Sequence, residues 1–301
     1  MGIPGLLPVL KSITRRVTLE DYRGFTVGVD GNCWLHRGAA SCSEELCQGV
    51  HTDRYVGVCM RLVSLLQSHG VRPLLVFDGA ALPAKGARNA ERREARRENL
   101  EKARAALAAG EAAAARQHFA RAVSVTPTMV QRLVVELRRA GIPFVVAPYE
   151  ADAQLAFLSK QGVVDAVVTE DSDSLPYGCR RVFFKLDNCG VGEEIEFRNL
   201  AANEALLFGG WTNGMFLDMC LLAGCDYLPP VRGVGIITAH KLVARHRSHE
   251  AVLAALRRAP PGGAAMPDGF EALYARARLT FRHQCVYDPR EKRMVHLMPL
   301  G

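Results

Sequence analysis

The chain has 301 residues, of which 49% are hydrophobic and 23% are charged. This composition is typical of a globular protein with a sizeable core and excludes a wholly disordered or fibrous chain. No apolar run reaches the ~18 residues of a membrane span, and the first residues lack the pattern of a signal peptide. Lys and Arg number 38 against 31 Asp and Glu, so the net charge is +7. A basic balance of this size favours a polyanionic partner.

Five short apolar runs predict strands that are buried in a parallel sheet. They cover residues 25–29, 73–77, 143–147, 165–169 and 181–186. Helical periodicity occurs between them at residues 52–69 and 128–140, and each of these helices ends at a glycine. The alternation predicts an α/β fold with right-handed crossovers and a mostly parallel central sheet flanked by helices.

Acidic residues follow four of the five predicted strands. They are Asp30, Asp78, Glu150 with Asp152, and Asp171 with Asp173. A single acid after a strand is usually a helix cap or a turn former. Four such strand ends meet at one edge of a parallel sheet, where like charges require a compensating cation. Oxygen ligands alone fit Mg²⁺ or Mn²⁺ better than zinc.

The basic segment at residues 85–121 has ten Lys or Arg against five Glu, a local net charge of +5. Its alanine-rich part predicts helix, interrupted at Gly110. A charge run of this kind is usually a solvated helix with i, i+4 ion pairs. Because the segment directly follows the strand that leads to Asp78, we predict that it rises over the acidic edge of the sheet.

The nine cysteines are scattered, without a Cys-x2-Cys pair or zinc spacing, and predict reduced thiols in an intracellular protein. Two glycines, Gly233 and Gly235, precede a predicted helix. Their spacing allows backbone N–H groups to approach a phosphate, although a simple turn is the commoner meaning of such a pair.

Several strings resemble the flap-endonuclease superfamily of structure-specific 5′ nucleases. They are MGIPGLL (1–7), VFDG (76–79), YEADAQ (149–154), TEDSD (169–173) and GCDY (224–227). Within the superfamily, four further strings are most similar to its eukaryotic exonuclease 1 branch. They are CWLHRGA (33–39), TDRYVG (52–57), APYE (147–150) and VYDP (286–289).

The resemblance covers nearly the whole chain and implies a single domain, 1–301, with a PIN-like 5′-nuclease fold. Its implied parts are an N-terminal nuclease region (1–99), a helical arch (84–122), an internal nuclease region (129–220), a helix-two-turn-helix subdomain (221–250) and C-terminal helices with a tail (251–301).

The resemblance also implies roles for individual residues. The implied metal ligands are seven acids: Asp30, Asp78, Glu150, Asp152, Asp171, Asp173 and Asp226. The implied catalytic cations of the arch are Lys85 and Arg92. The implied DNA contacts are Gly2, His36, Arg93, Arg96, Arg232, Gly233 and Gly235. Asn32 departs from the family, which commonly has an aromatic residue there for base stacking.

The implied activity is Mg²⁺-dependent 5′→3′ exonuclease action on double-stranded DNA with 5′-flap cleavage, in mismatch repair and end resection in the nucleus. The implied cofactors are two Mg²⁺ ions, which Mn²⁺ can replace, and a K⁺ ion at the helix-two-turn-helix. The implied partners are duplex DNA with a 5′ end, nick, gap or flap, and mismatch-repair proteins through a tail that this chain does not contain. We expect a monomer without a membrane partner.

Two alternatives stay open at this point. One is a flap or Holliday-junction endonuclease of the same superfamily, against which the strings around Trp34 argue. The other is a non-catalytic DNA-end binder, against which the retention of all seven acids argues.

Overall fold

A computed structural model describes residues 2–259, 261–263 and 266–300. Its main sheet has seven strands in the order β1-β7-β6-β5-β2-β3-β4. These strands are β1 (Thr14–Thr18), β2 (Thr26–Asp30), β3 (Arg72–Phe77), β4 (Phe144–Val146), β5 (Ala166–Val168), β6 (Arg181–Phe184) and β7 (Val191–Glu196). β2 to β6 pair in parallel, while β7 and β1 are antiparallel additions at one edge. The predicted α/β fold with a mostly parallel sheet is therefore confirmed.

Helices cover both faces of the sheet. They are α1 (Leu6–Val9), α2 (Gly31–Ala40), α3 (Ser43–Cys47), α4 (Arg54–Ser68), α5 (Gly86–Ala108), α6 (Ala112–Ala122), α7 (Pro127–Arg139), α8 (Ala151–Lys160), α9 (Ser174–Tyr177), α10 (Asn213–Ala223), α11 (Ile236–His246), α12 (His249–Arg258) and α13 (Phe270–His283). Short 3-10 turns lie at Lys11–Ile13, Leu19–Tyr22, Pro83–Lys85, Phe197–Ala202 and Pro261–Gly263.

Two hydrophobic cores flank the sheet because successive strand residues face opposite sides. In β3, Leu75 and Phe77 pack with α2, α4 and α7, whereas Leu74 and Val76 pack with α8, α10 and α13. The strand is buried from residue 73 to 77. Continuous burial explains why the sequence shows an unbroken apolar run there instead of alternation.

The five predicted strands correspond to β2 to β6, and the two periodic segments correspond to α4 and α7. The tail expected after the C-terminal helices contains two strands, β8 (Cys285–Asp288) and β9 (Arg293–His296), which pair as an antiparallel hairpin that the sequence did not indicate. The stretch at residues 259–269 is rich in Pro and Gly, which predicts a flexible loop. It includes positions 260, 264 and 265, which lie outside the described residues.

The basic segment forms two helices, α5 and α6, with Gly110 between them as predicted. Ala103, Ala115 and Phe119 are buried together where the helices meet, and Cys47 of α3 packs against them. Phe119 is thus the one large side chain among the three buried residues that anchor this helical pair to the body of the protein.

All nine cysteines have free thiols. No helix within the described ranges is both long and apolar enough to cross a membrane.

Candidate metal and nucleic-acid site

The acids gather where the strand order reverses, at the carboxyl ends of β2, β3 and β5. In an open α/β sheet this is where binding crevices form. Asp30 ends β2 and caps α2: its Oδ1 accepts from the Cys33 backbone N–H at 3.0 Å, and its Oδ2 accepts from the Thr169 hydroxyl at 3.0 Å. One oxygen of Asp30 is therefore held by the first turn of α2, and the other is held by Thr169, which follows β5.

Asp78 follows β3 and accepts hydrogen bonds from the first turns of two helices, α8 and α2. Its Oδ1 accepts from the Ala151 N–H at 2.8 Å, which opens α8, and its Oδ2 accepts from the amide of Asn32 in α2. Asn32, the departure from the family pattern, therefore orients an acid of the site. Burial, followed by the charge of Asp30, raises the pKa of Asp78 above its ordinary value.

Asp152 and Asp173 each have an unpaired carboxylate oxygen and a raised pKa. Asp173 is buried and Asp152 is half-buried, and the Oδ1 of each is a buried oxygen without a hydrogen-bond partner among the described residues. Burial, and next the charge of Asp171, raises the pKa of both Asp152 and Asp173 well above the ordinary value. The Asp171 Oδ1 is itself occupied, because it accepts from the Asp173 N–H at 3.0 Å.

Lys85 lies directly before α5, and its Nζ is 2.6 Å from Glu150 Oε2 and 3.3 Å from Asp226 Oδ2. Arg92 reaches the same Asp226 carboxylate at 2.8 Å. Burial opposes the charge of the ammonium, yet Glu150 and the other nearby acids hold the pKa of Lys85 above its ordinary value. Burial likewise opposes the charge of Asp226, but Lys85 and Arg92 lower its pKa.

Within the described residues, no group of three or more His, Cys, Asp or Glu side chains is arranged to hold a metal ion as it stands. The Lys85 ammonium contacts two of the acids instead. The residues nevertheless fit a divalent cation. The Oδ1 atoms of Asp152 and Asp173 lack partners, and a bound cation would supply both the missing contact and the missing positive charge.

The expected DNA contacts near the N-terminus lie beside this crevice. Gly2 has φ of +96° and packs so closely on Asp171 and Ser172 that a Cβ atom would collide with both side chains. His36 is half-buried in α2; burial, followed by the charges of Arg96 and Arg92, lowers its pKa. His36 therefore lies near these two arginines of α5.

The other expected DNA contacts are separate from the acids. Arg93 is exposed on α5, and Arg232, Gly233 and Gly235 lie in the turn before α11. None of these four residues bonds to any of the seven acids in the described part of the chain. Gly233 has φ of +80°, a conformation that favours glycine, whereas Gly235 has φ of −91° and open space around its Cα.

Sequence reasoning missed three partners of the acids: Thr169, Asn32 and Tyr227, whose hydroxyl donates to Glu150. The position of Tyr227 directly after Asp226 could have indicated that its side chain lies near the acids. Thr169 and Asn32 stand within the motifs already noted, but nothing in their spacing indicated which acid each would contact.

Comparison with known proteins agrees with the fold. The XPG N-terminal domain matches residues 1–99, and the XPG I-region matches residues 141–226.

The catalytic core of Rad2 in complex with DNA substrate shares the fold, with a TM-score of 0.68 at 19% identity over 99% of this chain and 91% of that one. The flap endonuclease-1 of Methanococcus jannaschii has a TM-score of 0.61 at 26% identity, over 89% of this chain and 81% of that one. Fold and matched regions together define a member of the XPG/flap-endonuclease superfamily.

Exonuclease 1 of Arabidopsis thaliana is 43% identical over 100% of this chain, which spans 40% of that protein. The DNA damage-inducible protein DIN7 of Saccharomyces cerevisiae is 33% identical, over 99% of this chain and 69% of its own length. The chain belongs to the exonuclease 1 family of this superfamily, and the resemblance drawn from its motifs is confirmed. It spans about two fifths of the length of the exonuclease 1 relatives.

Proposed function

We propose that this chain is a Mg²⁺-dependent 5′→3′ exonuclease of double-stranded DNA that also cleaves 5′ flaps. The proposal rests on one observation: buried acids and basic side chains lie together at one edge of the sheet. Buried carboxylate oxygens of Asp152 and Asp173 without partners lie on one side, and Lys85 and Arg92 converge on Asp226 on the other. Acids that hold cations, beside basic groups that bind phosphate, are what phosphodiester hydrolysis requires.

The seven acids would hold two Mg²⁺ ions, or Mn²⁺ in their place. When bound, such ions supply activation of water and charge stabilisation of the leaving oxygen. Lys85 and Arg92 leave their carboxylate partners and contact the scissile phosphate, where their charge stabilises the more negative transition state. Thr169 and the N-terminus of α2 keep Asp30 in place throughout.

We propose further that α5 and α6, within residues 84–122, form the arch over the 5′ strand. His36, Arg93, Arg96 and Gly2 would contact the strand near the cut. The proposed helix-two-turn-helix at 221–250 would bind the duplex backbone away from the cut, with a K⁺ ion. Its contacts would come from the turn with Arg232, Gly233 and Gly235. The seven acids, with the matched regions at 1–99 and 141–226, support this division of the chain.

The role would be DNA repair in the nucleus, in mismatch repair and end resection. Names of relatives support this role: exonuclease 1 and a DNA damage-inducible protein. The substrates would be duplexes with a 5′ end, nick, gap or flap. Mismatch-repair proteins would be partners of the longer protein that the family relatives represent, and the chain itself would act as a monomer.

The test uses end-labelled blunt, 5′-recessed, nicked and 5′-flap duplexes with Mg²⁺ or with EDTA. We expect short products released stepwise from recessed and nicked 5′ ends, cutting at the flap base, and no cleavage in EDTA. Binding without cleavage would identify a DNA-end binder. Cleavage confined to an added four-way junction would identify a junction endonuclease.

A further inference from the structure

Two neighbours, Tyr227 and Lys85, hold the side chain of Glu150. Its Oε2 accepts from the Tyr227 hydroxyl and lies 2.6 Å from Lys85 Nζ. No side chain of the described residues donates to its Oε1. A glutamate side chain has three rotatable bonds, so these two donors decide where the carboxylate stays.

The Tyr227 hydroxyl is itself held. It lies 2.6 Å from the Tyr177 hydroxyl, and since Tyr227 donates its proton to Glu150, Tyr177 must donate to Tyr227. Phe281 of α13 packs on both rings, with centroids 4.5 Å from Tyr177 and 5.1 Å from Tyr227. The relative exposure of Tyr177 is 1% and that of Tyr227 is 7%. The two hydroxyls therefore form a fixed chain that ends on Glu150.

We propose that Tyr227, supported by Tyr177, is the positioning residue that holds Glu150 ready to bind a divalent cation. The inference rests on the proposed function, in which Lys85 leaves Glu150 to contact the phosphate. Once Lys85 has left, the Tyr227 hydroxyl is the donor that remains on Oε2.

The experiment measures Mn²⁺ affinity of the DNA-free protein by electron paramagnetic resonance or calorimetry. Tyr227→Phe should weaken Mn²⁺ binding about tenfold, the lower end of the effect expected for a residue that orients a metal ligand. Tyr177→Phe should weaken it in the same direction by less. The matched control is Tyr274→Phe, which removes another buried tyrosine hydroxyl that donates to a carboxylate, Asp218, at 2.8 Å. This control should lower the melting temperature and leave Mn²⁺ affinity unchanged.

Cleavage of a 5′-recessed duplex gives a second readout. Tyr227→Phe should require about tenfold more Mn²⁺ for half-maximal rate and should bind DNA as well as the wild type. Wild-type Mn²⁺ affinity in Tyr227→Phe, or equal losses in Tyr227→Phe and Tyr274→Phe, would overturn the positioning role while wild-type cleavage upholds the proposed function. A wild-type protein that cuts no duplex would instead overturn the proposed function.

Discussion

Asp173 shows at the scale of one residue how a binding site lowers stability. Its relative exposure is 1%, and its Oδ1 has no partner in the described chain. Burial, and then the charge of Asp171, raises its pKa well above the ordinary value. An acid whose pKa is raised on folding destabilises the folded state at pH values above its unfolded pKa, and this cost disappears when the folded protein takes up the proton.

We therefore expect Asp173→Asn to raise the melting temperature of the metal-free protein in EDTA at pH 7, by about 2 to 4 °C for each kcal/mol gained. The difference should shrink as the pH falls through the pKa of Asp173, because the wild type then becomes neutral too. Added Mg²⁺ should stabilise the wild type more than the variant. Differential scanning calorimetry at several pH values, with EDTA or Mg²⁺, measures all three effects.

Asp187→Asn is the matched control with the opposite sign. The backbone N–H groups of Val191 and Cys189 lower the pKa of Asp187, so its charge is favoured in the folded protein. This variant should lower the melting temperature at pH 7. An Asp173→Asn protein that melts below the wild type in EDTA would show that Asp173 is satisfied without a cation.

Lys85 and Arg92 make the shortest contacts between the arch cations and the acids of the crevice, since Arg88 lies 3.5 Å from Asp226 and also pairs with Glu91 of its own helix. Arg97 instead pairs with Glu101 of its own helix at 3.2 Å, the solvated arrangement that charge runs usually adopt. We expect Lys85→Ala or Arg92→Ala to lower the single-turnover cleavage rate ~10²-fold or more, with little change in DNA affinity. Single-turnover kinetics beside binding titrations separate the two quantities.

Arg93→Ala supplies the contrast on the same helix, because Arg93 is exposed and would only gather the strand. This variant should weaken DNA binding and leave the rate at saturation unchanged. If the Lys85 and Arg92 variants lose affinity in parallel with rate, both residues are ordinary phosphate anchors.

At the scale of elements, the predicted strands were those with continuous apolar runs, and the missed strands were those with charge. β7 contains Glu193, Glu194 and Glu196, and Glu194 is buried because Arg15 of β1 and the Tyr22 hydroxyl bind it. These partners lie more than 170 residues away in sequence. Because ion pairs with distant residues stabilise this strand, its sequence shows neither an apolar run nor a regular alternation of apolar residues. The sequence therefore does not indicate a strand.

The turn before α11 gives an element-scale prediction. Gly235→Val should weaken binding of long duplexes, because a side chain there would hold the backbone N–H groups away from a phosphate. Gly235 suits this test better than Gly233, whose φ of +80° would add strain to any substitution. Binding titrations and cleavage assays on duplexes of increasing length measure the effect. A duplex too short to reach the turn should be cut at nearly the wild-type rate, and equal losses on short and long duplexes would contradict the role of this turn.

At the scale of the whole molecule, the site is a consequence of the strand order. Because β3 and β5 pair on opposite sides of β2, Asp30, Asp78 and Asp171 follow neighbouring strands, and this much could be predicted from apolar runs followed by acids. The contacts that orient the acids could not be predicted. The Tyr227–Glu150 and Asn32–Asp78 bonds join residues 77 and 46 positions apart, and only the packing of helices on the sheet decides such pairs.

In the proposed function, the acids of this crevice serve the cleavage of DNA and not its binding. The most direct test is Asp171→Ala, assayed beside the wild type for single-turnover cleavage and for affinity on a 5′-recessed duplex. We expect at least a ~10³-fold loss of cleavage, about 4 kcal/mol of barrier, with DNA binding retained or tightened because one repulsive charge is gone. Near-normal turnover by Asp171→Ala in Mg²⁺ would contradict it.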